Sequence, residues 1–223
     1  MNKPLRVVFA GTPDFAVASL AALFDSDIEL LWVYTQPDAV AGRGQKYRPS
    51  AVKEFAQENN ILIKQPSKLG AVEADALRLA GTDILVVVAY GQIVPQKVLD
   101  APRLGCVNVH GSILPRWRGA APIQRAVLAG DSEFGISVMQ MDAGLDTGPV
   151  YKIAALDGPC LDMTSGELSV ALSNLGAQTL KEVLLALDKY DLKPQPDEGV
   201  CYAAKIKKAE EEREKKAVKK QCL

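Results

Sequence analysis

Apolar positions fall in short blocks separated by polar or turn-forming segments, and two spacings alternate along the chain. Leu5 to Ala10 is an apolar-rich run that stops at Gly11-Thr12-Pro13, and from Asp14 to Phe24 the spacing becomes amphipathic. Strand, tight turn and helix are predicted in that order. Glu29 to Tyr34 reads as a second strand, Ser50 to Asn59 as a helix and Ile61 to Ile63 as a short strand. Further on, Ala71 to Leu79 is helical, Ile84 to Ala89 is a central strand and Pro95 to Leu99 a short helix. Gly105 to His110 predicts a strand, Ile123 to Leu128 a helix, and Gly135 to Met141 and Val150 to Ala155 two more strands. Thr164-Ser165-Gly166-Glu167 has the form of a capping box and opens a helix expected to run to about Tyr190. Gly176 inside that helix costs about 1 kcal/mol relative to Ala, which predicts close packing there. Strands alternating with helices imply an α/β domain with a mostly parallel twisted sheet flanked by helices.

The 223 residues carry a formal charge of −1 and are 48% hydrophobic, within the range of a globular domain. No apolar run approaches the ~20 residues of a membrane span. Met1 to Leu5 leads directly into the first strand pattern without a cleavage region, so a cytoplasmic setting is expected. Cys106, Cys160, Cys201 and Cys222 are irregularly spaced and His110 is the single histidine, which argues against disulfide and multi-histidine metal chemistry. Charge is uneven: Lys205 onward carries +4 and the preceding body −5. Residues 1–206 are expected to form one domain and 207–223 a charged tail with no apolar face.

In such folds ligands collect at the carboxyl ends of strands. Gly11-Thr12-Pro13-Asp14 lies at one such end but matches neither a dinucleotide fingerprint nor a P-loop, so a tight turn is expected there. Asn108 and His110 are two apart on a strand and therefore project together, where an amide and an imidazole can stabilise a developing oxyanion. The segment from Asp142 to Pro149 places Asp142 and Asp146 among glycines without the ligand ladder of a calcium loop. Asp142 is expected to close a turn through its side chain. Asp146, reaching His110, would orient the ring and favour its charged form.

The residues Asn108, His110, Ser112 to Pro115 and Asp146 resemble those of the folate-dependent formyltransferases. More narrowly, His110 to Gln124 (HGSILPRWRGAAPIQ), Val138 to Gly148 (VMQMDAGLDTG) and Phe9 to Asp14 (FAGTPD) are similar to the family members that formylate methionyl-tRNA. Gln36-Pro37-Asp38 followed by Ala41 to Gly44 looks like that family's loop after the second strand. The resemblance spans about residues 5 to 206. It implies a Rossmann-like domain that transfers a formyl group from 10-formyltetrahydrofolate, as co-substrate and without a metal, to the amino group of initiator methionyl-tRNA.

On that resemblance Asn108, His110 and Asp146 are the expected catalytic residues. The loop with Gln92, Ile93 and Val94 would read the pterin edge, with Val138, Met139, Gln140 and Gly144 opposite. Arg43 would enter the tRNA acceptor arm, with Ser112, Ile113, Leu114, Pro115, Arg116 and Arg118 near it. Two basic groups, Arg43/Lys46/Arg48/Lys53 and Arg116/Arg118/Arg125, stand out on the acidic body. No membrane or protein partner is implied. The family continues past Tyr202 to Ile206 into a β-barrel that helps hold tRNA, whereas a charged tail follows here. A complete folate site with weakened tRNA use is therefore expected. Two alternatives stay open: transfer to a small amine such as glycinamide ribonucleotide or an amino-sugar nucleotide, and a non-catalytic folate- or RNA-binding remnant.

Overall fold

The computed structural model describes residues 3–41, 46–158, 160, 162–207 and 210. Its elements run β1 (Arg6–Gly11), α1 (Asp14–Phe24), β2 (Glu29–Tyr34), β3 (Ala39–Ala41), β4 (Lys46–Arg48), α2 (Ala51–Glu58), β5 (Ile63–Lys64), α3 (Ala71–Leu79) and β6 (Ile84–Val88). They continue as α4 (Gln96–Leu99), β7 (Cys106–His110), β8 (Arg118–Gly119), α5 (Pro122–Ala129), β9 (Gly135–Gln140), β10 (Val150–Ala155), α6 (Ser165–Leu185) and β11 (Tyr202–Ala203). Local chemistry sets several of these bounds. Ser50 accepts the Lys53 amide to start α2, Pro122 opens α5, and Gly130 in the left-handed region closes it.

Seven strands form one sheet in the order β10-β9-β7-β6-β1-β2-β5. The pairs from β5 across to β7 are parallel, and β9 and β10 pair antiparallel. One face packs against α1, α2, α5 and α6, the other against α3 and α4. A strand covered on both faces has no polar side to show, and all five residues of β6 are buried. Gly11, expected in a turn, is the last residue of β1, where a Cβ would lie 2.6 Å from the Phe9 ring and 2.8 Å from Ala16.

The capping box of α6 is present, with Thr164 accepting the Glu167 amide and the Glu167 carboxylate accepting the Thr164 amide. The helix stops at Leu185 rather than near Tyr190, because Ala186 leaves helical geometry and only a single 3₁₀ turn, Leu187–Lys189, follows. The short strand expected at Ile61 to Ile63 lies at Ile63–Lys64. Gly176 lets α6 close on β7, since a Cβ there would sit 2.8 Å from Val109 Cγ1.

That contact can be measured. Ala at position 176 gains about 1 kcal/mol of helix propensity, but overpacking costs roughly 1–3 kcal/mol. Gly176→Ala is expected to lower Tm by a few degrees, and Val109→Ala to cost less in that background than in the parent chain. A double-mutant cycle with no coupling would place the glycine's function elsewhere.

Candidate active site

Side chains alternate along β7. Val107 and Val109 enter the core beneath α6, so Asn108 and His110 project from the opposite face. Asp146 reaches them from the loop joining β9 to β10. Its Oδ1 accepts the Asn108 side-chain amide at 3.3 Å, its Oδ2 accepts the Gly119 backbone N–H at 2.8 Å, and Oδ2 lies 3.6 Å from His110 Nδ1. The Asp146 backbone has φ 52°, a left-handed conformation that Asp tolerates better than most residues. His110 is buried, with 6% of its surface exposed.

The other ring nitrogen is also committed. Nε2 lies 2.8 Å from the Trp117 carbonyl oxygen, which can only accept, so Nε2 carries a proton. Nδ1 is left as the edge facing Asp146. When the ring is charged, the Nδ1–H and the Asn108 amide converge beside one carboxylate, an arrangement suited to an anionic oxygen and a departing proton.

Trp117 has φ 62°, a strained conformation for a bulky residue, and its neighbours hold it. Its indole N–H donates to Asp131 Oδ2 at 2.7 Å and its backbone N–H to Cys201 Sγ at 3.2 Å. Arg116 donates to both Asp131 oxygens, at 2.8 and 2.6 Å, and stacks its guanidinium over the Trp117 ring. The Arg116 guanidinium, with the indole N–H, holds the Asp131 carboxyl below the usual carboxylate range. Sequence reasoning missed Asp131, since nothing in the residues around it signals this role.

The remaining expected residues separate by face. Register pairs Asn108 with Met139 and Val109 with Val138. Met139 thus shares the site face, whereas the Val138 side chain enters the α6 core and can offer a ligand only its backbone. Gln140 accepts the Tyr151 hydroxyl and donates to the Leu104 carbonyl. Gly144 donates to Asp142 Oδ1, which also accepts the Thr147 hydroxyl, the side-chain turn expected of Asp142. Gln92 accepts the Leu69 amide and donates to the Pro66 and Ser67 carbonyls, so its side chain braces the loop. Ile93 is 91% exposed and Val94 is buried.

Ser112 donates to the Arg116 carbonyl, and Leu114 packs with Met139 and Val150. Ile113, Pro115 and Arg116 line a cavity of about 500 Å³ that also touches Asp131 and Phe134. The second basic group is not a free cationic surface. Arg118 is only 9% exposed, and its guanidinium donates to Gln195 Oε1. Arg116 pairs with Asp131, and Arg125 with Glu210 and the Ala204 and Lys205 carbonyls. These partners lie 15 to 85 residues away and no local pattern announces them. In the first group Lys53 pairs with Asp38, while Arg43 lies outside the described residues. Among the described residues no cluster of metal-ligating side chains occurs and no helix is long and apolar enough to cross a membrane.

A family profile described as formyl transferase matches residues 5–184. The chain is 55% identical over 216 residues to methionyl-tRNA formyltransferase of Chromohalobacter salexigens, covering 95% of this chain and 66% of the relative. It is 56% identical over 212 residues to methionyl-tRNA formyltransferase of Alcanivorax borkumensis, covering 93% and 64%. The chain thus spans just under two thirds of the length of these relatives. In fold it is similar to an N-formyltransferase of Helicobacter canadensis in complex with folinic acid and dTDP-3-aminofucose. There the TM-score is 0.68 at 20% identity, over 89% of this chain and 70% of that one. Phosphoribosylglycinamide formyltransferase of Streptococcus pneumoniae gives a TM-score of 0.67 at 22% identity, over 83% and 99%.

The Asp131 clamp generates a pH prediction. Its carboxyl sits below the ordinary value of about 4, so its contribution is complete above that value and disappears as pH falls through the lowered one. With Trp32 replaced by Phe, Trp117 becomes the only indole, and its fluorescence is expected to change below about pH 4. Asp131→Asn should show the acid-form signal already at neutral pH. An identical acid transition in that variant would assign the change to other carboxylates.

Proposed function

The chain belongs to the formyl transferase family, and we propose that it carries a formyl group from 10-formyltetrahydrofolate to the α-amino group of initiator methionyl-tRNA. Identity of 55% and 56% to methionyl-tRNA formyltransferases supports that acceptor. The observation that carries the chemistry is the meeting of Asn108, His110 and Asp146 on one face of β7. The proposed setting is the cytoplasm.

In this reading the neutral amine attacks the formyl carbon and the carbonyl oxygen becomes anionic. Asn108 donates its amide N–H to that oxygen, and charged His110 donates from Nδ1, its Nε2 proton being held by the Trp117 carbonyl. Asp146 orients the ring at Nδ1 and fixes a water that carries away the proton the amine loses. Collapse of the intermediate breaks the bond between the formyl carbon and the folate nitrogen, which leaves with the amine's proton, delivered through that water.

The folate co-substrate is assigned to the loop from Ala89 to Pro95, where Ala89 (φ 46°) and Gly91 (φ 86°) put the backbone in left-handed turns. Backbone groups of Gln92, Ile93 and Val94 would meet the pterin edge, with Val138, Met139, Gln140 and Gly144 on the other side. Exposed Ile93 supplies apolar surface. For the tRNA, Arg43 and the segment Ser112, Ile113, Leu114, Pro115 and Arg116 would border the acceptor end, phosphate contacts fixing its position. Arg118 is left out of that set because its guanidinium is buried against Gln195.

His110→Ala is expected to lower turnover by roughly 10²–10³-fold while folate binding is retained. Turnover near that of the parent chain in a folded variant would overturn the mechanism. Arg43→Ala should weaken methionyl-tRNA use and flatten its salt dependence without altering folate affinity. Assayed side by side, methionyl-tRNA should be formylated and small sugar or ribonucleotide amines should not.

A further inference from the structure

The family profile ends at residue 184, yet the chain beyond it returns to the site. Lys193 pairs with Val150 through both backbone hydrogen bonds, at 2.8 and 3.0 Å. Two residues later the Gln195 amide N–H groups donate to the carbonyl oxygens of Asp146 and Gly148, each at 2.8 Å. The Gln195 oxygen accepts from Arg118 Nε at 3.0 Å and Nη2 at 2.8 Å. The strap continues to β11, which pairs parallel with β8. Cys201 accepts the Arg118 amide there, and Ala203 accepts the Ala120 and Ala121 amides. Gly119 of β8 is the residue whose N–H reaches Asp146 Oδ2.

We infer that Gln195 is a positioning residue for Asp146, and that the strap from Lys193 to Ala203 completes the catalytic unit. Four hydrogen bonds satisfy the Gln195 amide, and its geometry leaves it no other arrangement: acceptors lie on its nitrogen side and a cation on its oxygen side. The half-buried Asp146 loop has a left-handed residue to hold. Gln195 fixes the carbonyl of that residue directly, while Gly119, in the β8 segment that the strap pairs with, fixes its carboxylate. Arg118, buried and with no carboxylate hydrogen-bonded to it among the described residues, polarises the amide and strengthens its donors toward Asp146. Glu at 195 keeps the length and the Arg118 contact but has no N–H to donate.

This inference rests on the formyl-transfer reading, and the test separates the two. Steady-state kinetics with 10-formyltetrahydrofolate and initiator methionyl-tRNA are measured for the parent, Gln195→Glu, Asp146→Asn and the double variant. Gln195→Glu is expected to lower kcat by roughly 10–100-fold, since small misplacements of reacting groups cost on that order, with folate KM nearly unchanged. If Gln195 acts through Asp146, the double variant is no slower than Asp146→Asn alone. Amide hydrogen exchange at Gly119 is expected to rise about tenfold or more in Gln195→Glu while Tm stays near that of the parent. An unchanged kcat, or losses that multiply in full, overturns the inference. A parent chain that transfers no formyl group overturns the function instead, and exchange at Gly119 then decides the positioning role, unchanged protection refuting it. Should Gln195→Glu fail to fold, Gln195→Ala, which opens room for water beside Arg118, carries the same expectations.

Discussion

Asp146 holds its carboxylate 3.6 Å from the His110 ring on a backbone turned into the left-handed region, with 17% of its side chain exposed. A charged group in that position persists only where its surroundings over-determine it. Asn108 and Gly119 satisfy its oxygens and Gln195 its carbonyl, so each neighbour closes one degree of freedom. Much of the architecture on this side of the sheet follows. The β9–β10 loop must fold against the face of β7, and β8 must present a peptide N–H to it.

The two sides of the imidazole are governed by different carboxylates. Asp146 faces Nδ1 directly, whereas Asp131 acts at one remove, by fixing the indole of the residue whose carbonyl meets Nε2. A direct carboxylate on both sides would neutralise the ring's charge and leave no edge for a substrate oxygen. A carbonyl on one side settles the tautomer without adding charge. The strained Trp117 backbone is the geometric means to that end.

Much of this was legible in the chain because it is local. The apolar run of β6, the alternation that sends Asn108 and His110 to one face, and the capping box of α6 each rest on neighbouring residues. Gly176 was readable as a close approach, though not against which strand. What could not be read depends on distant partners. Arg118 looks like a surface cation until Gln195, 77 residues away, is brought beside it. Gln195 itself sits between two prolines in a segment with no periodicity, and β8 and β11 are too short to leave an alternating pattern. Val138 shows the same limit: its strand was evident, but its face followed from register with Val109.

The antiparallel course of β9 has a kinetic meaning. A parallel neighbour would deliver its following loop at the carboxyl edge, but β9 ends beside Val107, and its loop must travel back along the face to reach Asn108. The resulting closures span 38 residues to Asn108, 49 to Gln195 and, from Arg118 to Gln195, 77. Such long closures lose chain entropy before they gain contacts, as does the closure from Val7 to Ile84 that joins β1 to β6. The order of synthesis adds to this: the Asp146 loop leaves the ribosome before Gln195 does, and it lacks that brace until the segment around residue 195 has emerged and docked.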